Sequence, residues 1–136
     1  MAKPKRPDLT GVIDEIDAAL DRATAKLLRN TQSRLSAASP VLTGRLAASW
    51  NIGKNAPDLS APPERETKGS TEPKPFNGSI TYGGDWFVSS NLPYTFRAAF
   101  DPYTGRRGGG AWFTRIENNL AKDAERIFQQ ELSALK

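Results

Sequence analysis

Apolar positions first recur at helical spacing. Val12, Ile13, Ile16, Leu20, Ala23, Leu27, Thr31 and Leu35 stand three and four residues apart, one stripe about seven turns long. The spacing predicts a helix over 10–38, with Thr10 as its N-cap. Asp14, Glu15 and Asp17 come early and Lys26, Arg29 and Arg34 late, where the helix dipole favours each charge. The expected role of the stripe is to pack on a sheet, since it lacks the strict heptads of a coiled coil. The period then changes to two. Leu46, Ala48 and Trp50 alternate with Ala47 and Ser49, so a first strand is expected over 45–53. Ser79-Ile80-Thr81-Tyr82, the turn Gly83-Gly84-Asp85 and the returning Trp86-Phe87-Val88-Ser89-Ser90 predict a hairpin. Asn91-Leu92-Pro93-Tyr94 bends the chain, and 95–100 is expected as a short helical turn or strand end. Helical spacing returns with Trp112, Ile116, Leu120, Ala124, Ile127, Phe128, Leu132 and Leu135, predicting a second helix from about residue 111.

Two breakers divide these patterns. Pro40 cannot continue a helix and pushes Ser39 out of the α region, and Thr43-Gly44 supplies a turn in which Gly44 takes a positive φ at little cost. Pro40, Thr43, Gly44, Leu46 and Trp50 thus form a structural junction, with Trp50 expected in the core. Residues 54–75 then carry five of the ten prolines and little that can pack. This stretch is expected to be an extended arm or insertion, ordered if at all by a neighbour, with a tolerated surface loop as the equal alternative. The fold class is α+β in a single domain over 1–136: a long N-terminal helix, a small antiparallel sheet of three or four strands with a Pro-rich insertion, and a C-terminal amphipathic helix.

Composition narrows the chemistry. The chain has neither Cys nor His, so it offers no disulfide, no thiolate, no Ser-His-Asp or Cys-His nucleophile and no ordinary zinc site. The formal charge is +4, but Lys3, Lys5 and Arg6 lie in a flexible arm over 1–9 and Arg106-Arg107 in a glycine-rich loop. Setting those five aside leaves 14 basic against 15 acidic residues. No apolar run spans a membrane and the basic N-terminus lacks a signal peptide's apolar core, so a cytoplasmic protein is expected.

Other constellations read as structure. Asp14, Glu15, Asp17 and Asp21 lie on a helix flank and are expected to be a solvated face. Asp85 and Asp101 sit in turns, where Asp bonds locally, so no glycosidase-like carboxylate pair is expected. Arg106-Arg107 before three glycines lacks the Gly-Lys-Ser/Thr ending of a phosphate loop. Trp86, Phe87, Tyr94, Phe96 and Phe100 lack the interleaved cations of a base-stacking platform, since only Arg97 accompanies them. Leu92, Tyr94, Phe96 and Phe100 crowd apolar groups into nine residues, which marks them, with Arg97, as a candidate oligomer interface anchored on Tyr94.

Three stretches resemble one family. Ser39-Pro40-Val41-Leu42-Thr43-Gly44-Arg45-Leu46 with Ser49-Trp50 resembles the proline, Thr-Gly-x-Leu, Ser signature of tailed-phage neck and tail-completion proteins. Ser89-Ser90-Asn91-Leu92-Pro93-Tyr94 resembles the family's Asn-x-x-Pro-Tyr strand end, and Trp112-Phe113 its closing helix. The sequence departs from the family's pattern at Phe96-Arg97-Ala98-Ala99-Phe100 and at Arg106-Arg107-Gly108-Gly109-Gly110. Tail terminator, joining ring and minor tail component therefore stay open. The resemblance implies a non-enzymatic ring subunit of a virion, commonly hexameric, with neighbouring neck and tail proteins as partners. It implies no cofactor, metal, membrane or small-molecule substrate, and a location in the virion after assembly in the host cytoplasm. The alternative is a nucleic-acid-binding module that contacts DNA, in the neck lumen or elsewhere, through Lys3, Lys5, Arg6, Arg106 and Arg107.

Overall fold

The structure is a computed structural model that describes residues 9–39, 44–93, 95, 99 and 111–135. Helix α1 spans Leu9–Ala38 and helix α2 spans Ala111–Ser133. Among the described residues between them are a 3-10 turn at Ala47–Ser49 and two short strands, β1 (Asn51–Lys54) and β2 (Trp86–Ser89). The strands pair antiparallel, with Asn51 opposite Ser89 and Lys54 opposite Trp86. A small α+β arrangement thus stands, with a sheet of two strands among the described residues rather than three or four.

The two helices run antiparallel and pack mainly on each other, not each on the sheet. Leu35 near the end of α1 shares a core with Trp112 at the start of α2, while Arg22 reaches Glu131 at the other end. Ala19 and Ala23, on the inward stripe of α1, are both fully buried. Charges late in the stripe bridge the pair instead of merely meeting the helix dipole: Lys26 and Arg22 bond Glu131, and Arg34 bonds Asp123. Thr10 does not cap, because the helix is already under way at Leu9. Thr24 and Thr31 return their hydroxyls to the Leu20 and Leu27 carbonyls (both 2.8 Å), which lets polar side chains sit among apolar ones.

The expected strand over 45–53 forms only at its end. Every residue from Leu46 to Ile52 is buried, so alternation there separates no inside from outside. A local turn wins instead. Ala48 N bonds the Gly44 carbonyl (3.0 Å), and Ser49 bonds Leu46 O through both N (3.0 Å) and Oγ (2.6 Å). The expected hairpin also has a different partner. Residues 79–82 form no strand, and β2 pairs with β1 across the irregular stretch 55–85. Tyr82 instead stacks edge-on against Phe128 of α2 (5.9 Å between rings) and bonds Asp21 Oδ1 through its backbone N (2.8 Å). The Trp86 indole closes the turn before β2 by donating to the Thr81 and Gly83 carbonyls.

Candidate functional site

Trp50 is the hub. It is 3% exposed, and its indole N–H donates to Ser39 Oγ (2.8 Å), whose hydroxyl in turn donates to Leu35 O (2.6 Å). Its ring stacks on Phe113 (6.1 Å, 22°) and meets Trp112 edge-on (6.2 Å, 84°). The end of α1, the junction and the start of α2 therefore meet on one side chain. Val88 and Ile116 pack around the same core, with Leu35, Ala99 and Trp112 inside it.

Beside that core, Leu46 and Leu92 bury each other. Ser49 Oγ lies 2.5 Å from Ser90 Oγ, which lies 2.9 Å from Thr95 Oγ1, a short chain of hydroxyls between the junction and the segment after β2. Leu92 is thus covered within the subunit and offers little to a neighbour. The other candidate interface residues, Tyr94, Phe96, Arg97 and Phe100, lie outside the described residues. So do Pro40 and Thr43 of the junction and Lys3, Lys5, Arg6, Arg106 and Arg107 of the candidate DNA contact.

Gly44 behaves as its sequence context requires. Its φ is +86°, and a Cβ there would stand 2.9 Å from the Gly69 carbonyl oxygen and 3.0 Å from that of Ser70. The glycine lets the proline-rich stretch lie directly against the junction. That stretch does not stand away from the subunit. Side chains of the body donate to its main-chain carbonyls: Gln32 to Lys74 (3.2 Å), Ser36 to Thr71 (2.9 Å), Arg45 to Pro62 (2.9 Å), Asn51 to Ser60 (2.6 Å) and Asn91 to Leu59 (3.0 Å). Gln32 also donates to Trp50 O (2.8 Å), tying the strap to the hub. Asp58 pairs with Lys74 (2.9 Å) and accepts from Ser60, and these bonds, Ser60 first, lower its pKa to about 2.

The strap is polar because the chemistry that holds it is polar: an extended, proline-rich backbone leaves its carbonyls free for side-chain donors. Sequence reading missed this donor set. Gln32, on the α1 face that the stripe marks as inward, and Asn51, within an expected strand, were the available signals, since a buried amide requires partners. The acidic flank of α1 is largely solvated, with Asp14, Glu15 and Asp17 exposed. Among the described residues no three His, Cys, Asp or Glu side chains are grouped to hold a metal ion, and no helix is long and apolar enough to cross a membrane. Comparison with family models, curated proteins and solved structures finds nothing that matches the chain.

Proposed function

We propose that this chain is a non-enzymatic structural subunit of a tailed-phage neck or tail-completion ring. One observation carries the reading. The three stretches that resemble that family, far apart in sequence, converge in space: Leu46 packs on Leu92, Ser49 meets Ser90, and Trp50 packs on Trp112 and Phe113. A motif set that builds one hub is what a shared scaffold requires, while scattered coincidences need not touch. The finer features belong to the same proposal. The Pro-rich stretch is an inserted loop that presents a polar rim. The Tyr94, Phe96, Arg97 and Phe100 segment supplies the contact between neighbours, most simply in a hexamer. Neighbouring neck and tail proteins complete the set of partners, and the location is the virion after assembly in the host cytoplasm.

The direct test is to image the purified chain by negative stain and to repeat it with Tyr94→Ala/Phe96→Ala. Closed rings for the parent and folded, unassembled subunits for the variant support the proposal. A parent that forms no rings but binds DNA, with log affinity falling steeply on log salt, would favour the nucleic-acid-binding alternative.

A further inference from the structure

One edge of the small sheet is open. Asn55 N bonds Asp85 O (2.6 Å), and in the same register Gly53 exchanges main-chain bonds with Phe87 and Asn51 with Ser89. Trp86 and Val88 therefore turn their main-chain N–H and C=O groups away from β1, toward the outer edge of β2, where no described residue bonds them. That edge borders a cavity of about 320 Å³ among β2, α1 and α2. Leu27 and Leu28 of α1, Ile116 and Leu120 of α2, and the Trp86 and Val88 side chains line it. Leu120 is 39% exposed there.

The segment just before β2 fits both the edge and the cavity. Its pattern, Ser79-Ile80-Thr81-Tyr82 and then Gly83-Gly84-Asp85, predicts a hairpin with β2, yet 79–82 lies outside the sheet. The ladder selects the register such a hairpin would take. Outward groups at 86 and 88 require partners at 82 and 80, which makes the loop 83–85. A two-residue loop would instead call on Phe87, whose groups already face β1. Opposite residues share a face, so Ile80 and Tyr82 enter the cavity beside Val88 and Trp86, and polar Ser79 and Thr81 stay outside it. Glu117, the one charged group among the described lining residues, supplies an acceptor for the Tyr82 hydroxyl. The seat that the segment occupies in the structure is looser. Tyr82 is 58% exposed against Phe128, with its N bonded to Asp21. Gly83 and Gly84 stand at φ +100° and +73°, and a Cβ on Gly83 would touch nothing, so the hinge has room to refold. We propose that 79–82 is a gate with two seats. On Phe128 it leaves the β2 edge open to an extended segment of another chain. Closed, it becomes a third strand on β2 and fills the cavity. Closing gives up the Asp21 bond and the Trp86 indole bonds to Thr81 O and Gly83 O. It gains main-chain bonds at 80–88 and 82–86 and buries Ile80, Tyr82 and Leu120. The swing is about 12 Å, the rise along α2 from Leu120 to Phe128. The proposal stands apart from the ring reading, which uses another part of the chain.

The absence of cysteine allows the closed seat to be trapped. Thr81→Cys/Phe87→Cys sets the pair at a non-hydrogen-bonded site on the face away from the cavity, about 4.5 Å between Cα atoms when closed and within disulfide reach. Mild oxidation joins this pair within one chain. Ile80→Cys/Phe87→Cys, whose side chains fall on opposite faces in that register, stays reduced. In the trapped chain the Trp86 and Val88 amides exchange hydrogen about tenfold more slowly than in the same variant reduced. Those of Phe87 and Ser89, which face β1, keep their rates. A Thr81/Phe87 pair that stays reduced, a control pair that joins as readily, or unchanged exchange at Trp86 and Val88 overturns the proposal. Should the cysteine variants lose helical circular dichroism, the unaltered chain decides by nuclear Overhauser contacts. Contacts from the Tyr82 ring to Leu120 beside those to Phe128 support two seats, and contacts to Phe128 alone overturn them.

Discussion

Replacing Trp50 with alanine tests the hub most severely. The indole is 3% exposed, stacks on Phe113, meets Trp112 edge-on and donates to Ser39 Oγ. Truncation removes nearly all of a large buried ring and opens a cavity between α1 and α2, which costs about 3–5 kcal/mol. A domain of this size is stable by roughly 7–20 kcal/mol, so the variant loses a large share of its stability. Trp50→Phe separates packing from the hydrogen bond. It keeps an aromatic ring against Phe113 and leaves Ser39 Oγ without its donor, for a loss of about 1–2 kcal/mol. The assay is denaturant unfolding followed by circular dichroism, with the slope unchanged so that midpoints report stability. A loss below about 1 kcal/mol for Trp50→Ala would refute a buried hub. Equal losses for both variants would show that ring contacts contribute nothing beyond the hydrogen bond.

Further outcomes follow from the strap and the helix pair. Gly44→Ala is expected to cost about 1–3 kcal/mol, because its Cβ at φ +86° would press on the Gly69 carbonyl, and equal stability by the same assay would contradict that approach. Gln32→Leu removes the donor shared by Trp50 O and Lys74 O, so amides of 71–76 should exchange hydrogen faster while those of α2 keep their protection. The Asp58 pKa lies below its unfolded value of about 4, so its contribution is full above pH 4 and is lost as pH falls toward 2. That contribution is no more than about 1 kcal/mol because the pair is partly exposed, and Asp58→Asn should flatten the strap's response over that window, read by nuclear magnetic resonance shifts of Ser60. Lys26, first, and Arg22 likewise hold the Glu131 carboxyl below the usual range, so Glu131→Gln should lower the melting temperature at pH 7 and have a smaller effect below pH 3.

The helices were the most legible elements in the sequence, because long apolar stripes at a period of 3.6 leave little choice of structure. What each stripe packs against was not legible. Periodicity fixes a face but not its partner, and the Leu35–Trp112 core with the Arg22–Glu131 and Arg34–Asp123 pairs shows that α1 lies on α2. The junction was legible at Gly44 and Trp50 because both residue types carry strong constraints: a positive φ, and a large ring that seeks a core. The strand over 45–53 was misread where both faces are buried, since a period of two carries information only when one face meets water. The strap was misread because proline-rich polar sequence marks an absence of core packing without revealing that Gln32, Asn51 and Asn91 wait to bond its carbonyls. The acidic run on α1 was legible as a solvated flank.

The central proposal is that this chain closes a ring. Negative-stain imaging of the purified protein across a concentration series tests it most directly. The account predicts closed rings of a single symmetry that vanish in Tyr94→Ala/Phe96→Ala while the variant keeps its helical circular dichroism. Particles that remain isolated subunits or simple pairs at every concentration, or rings that persist unchanged in the double variant, would contradict it.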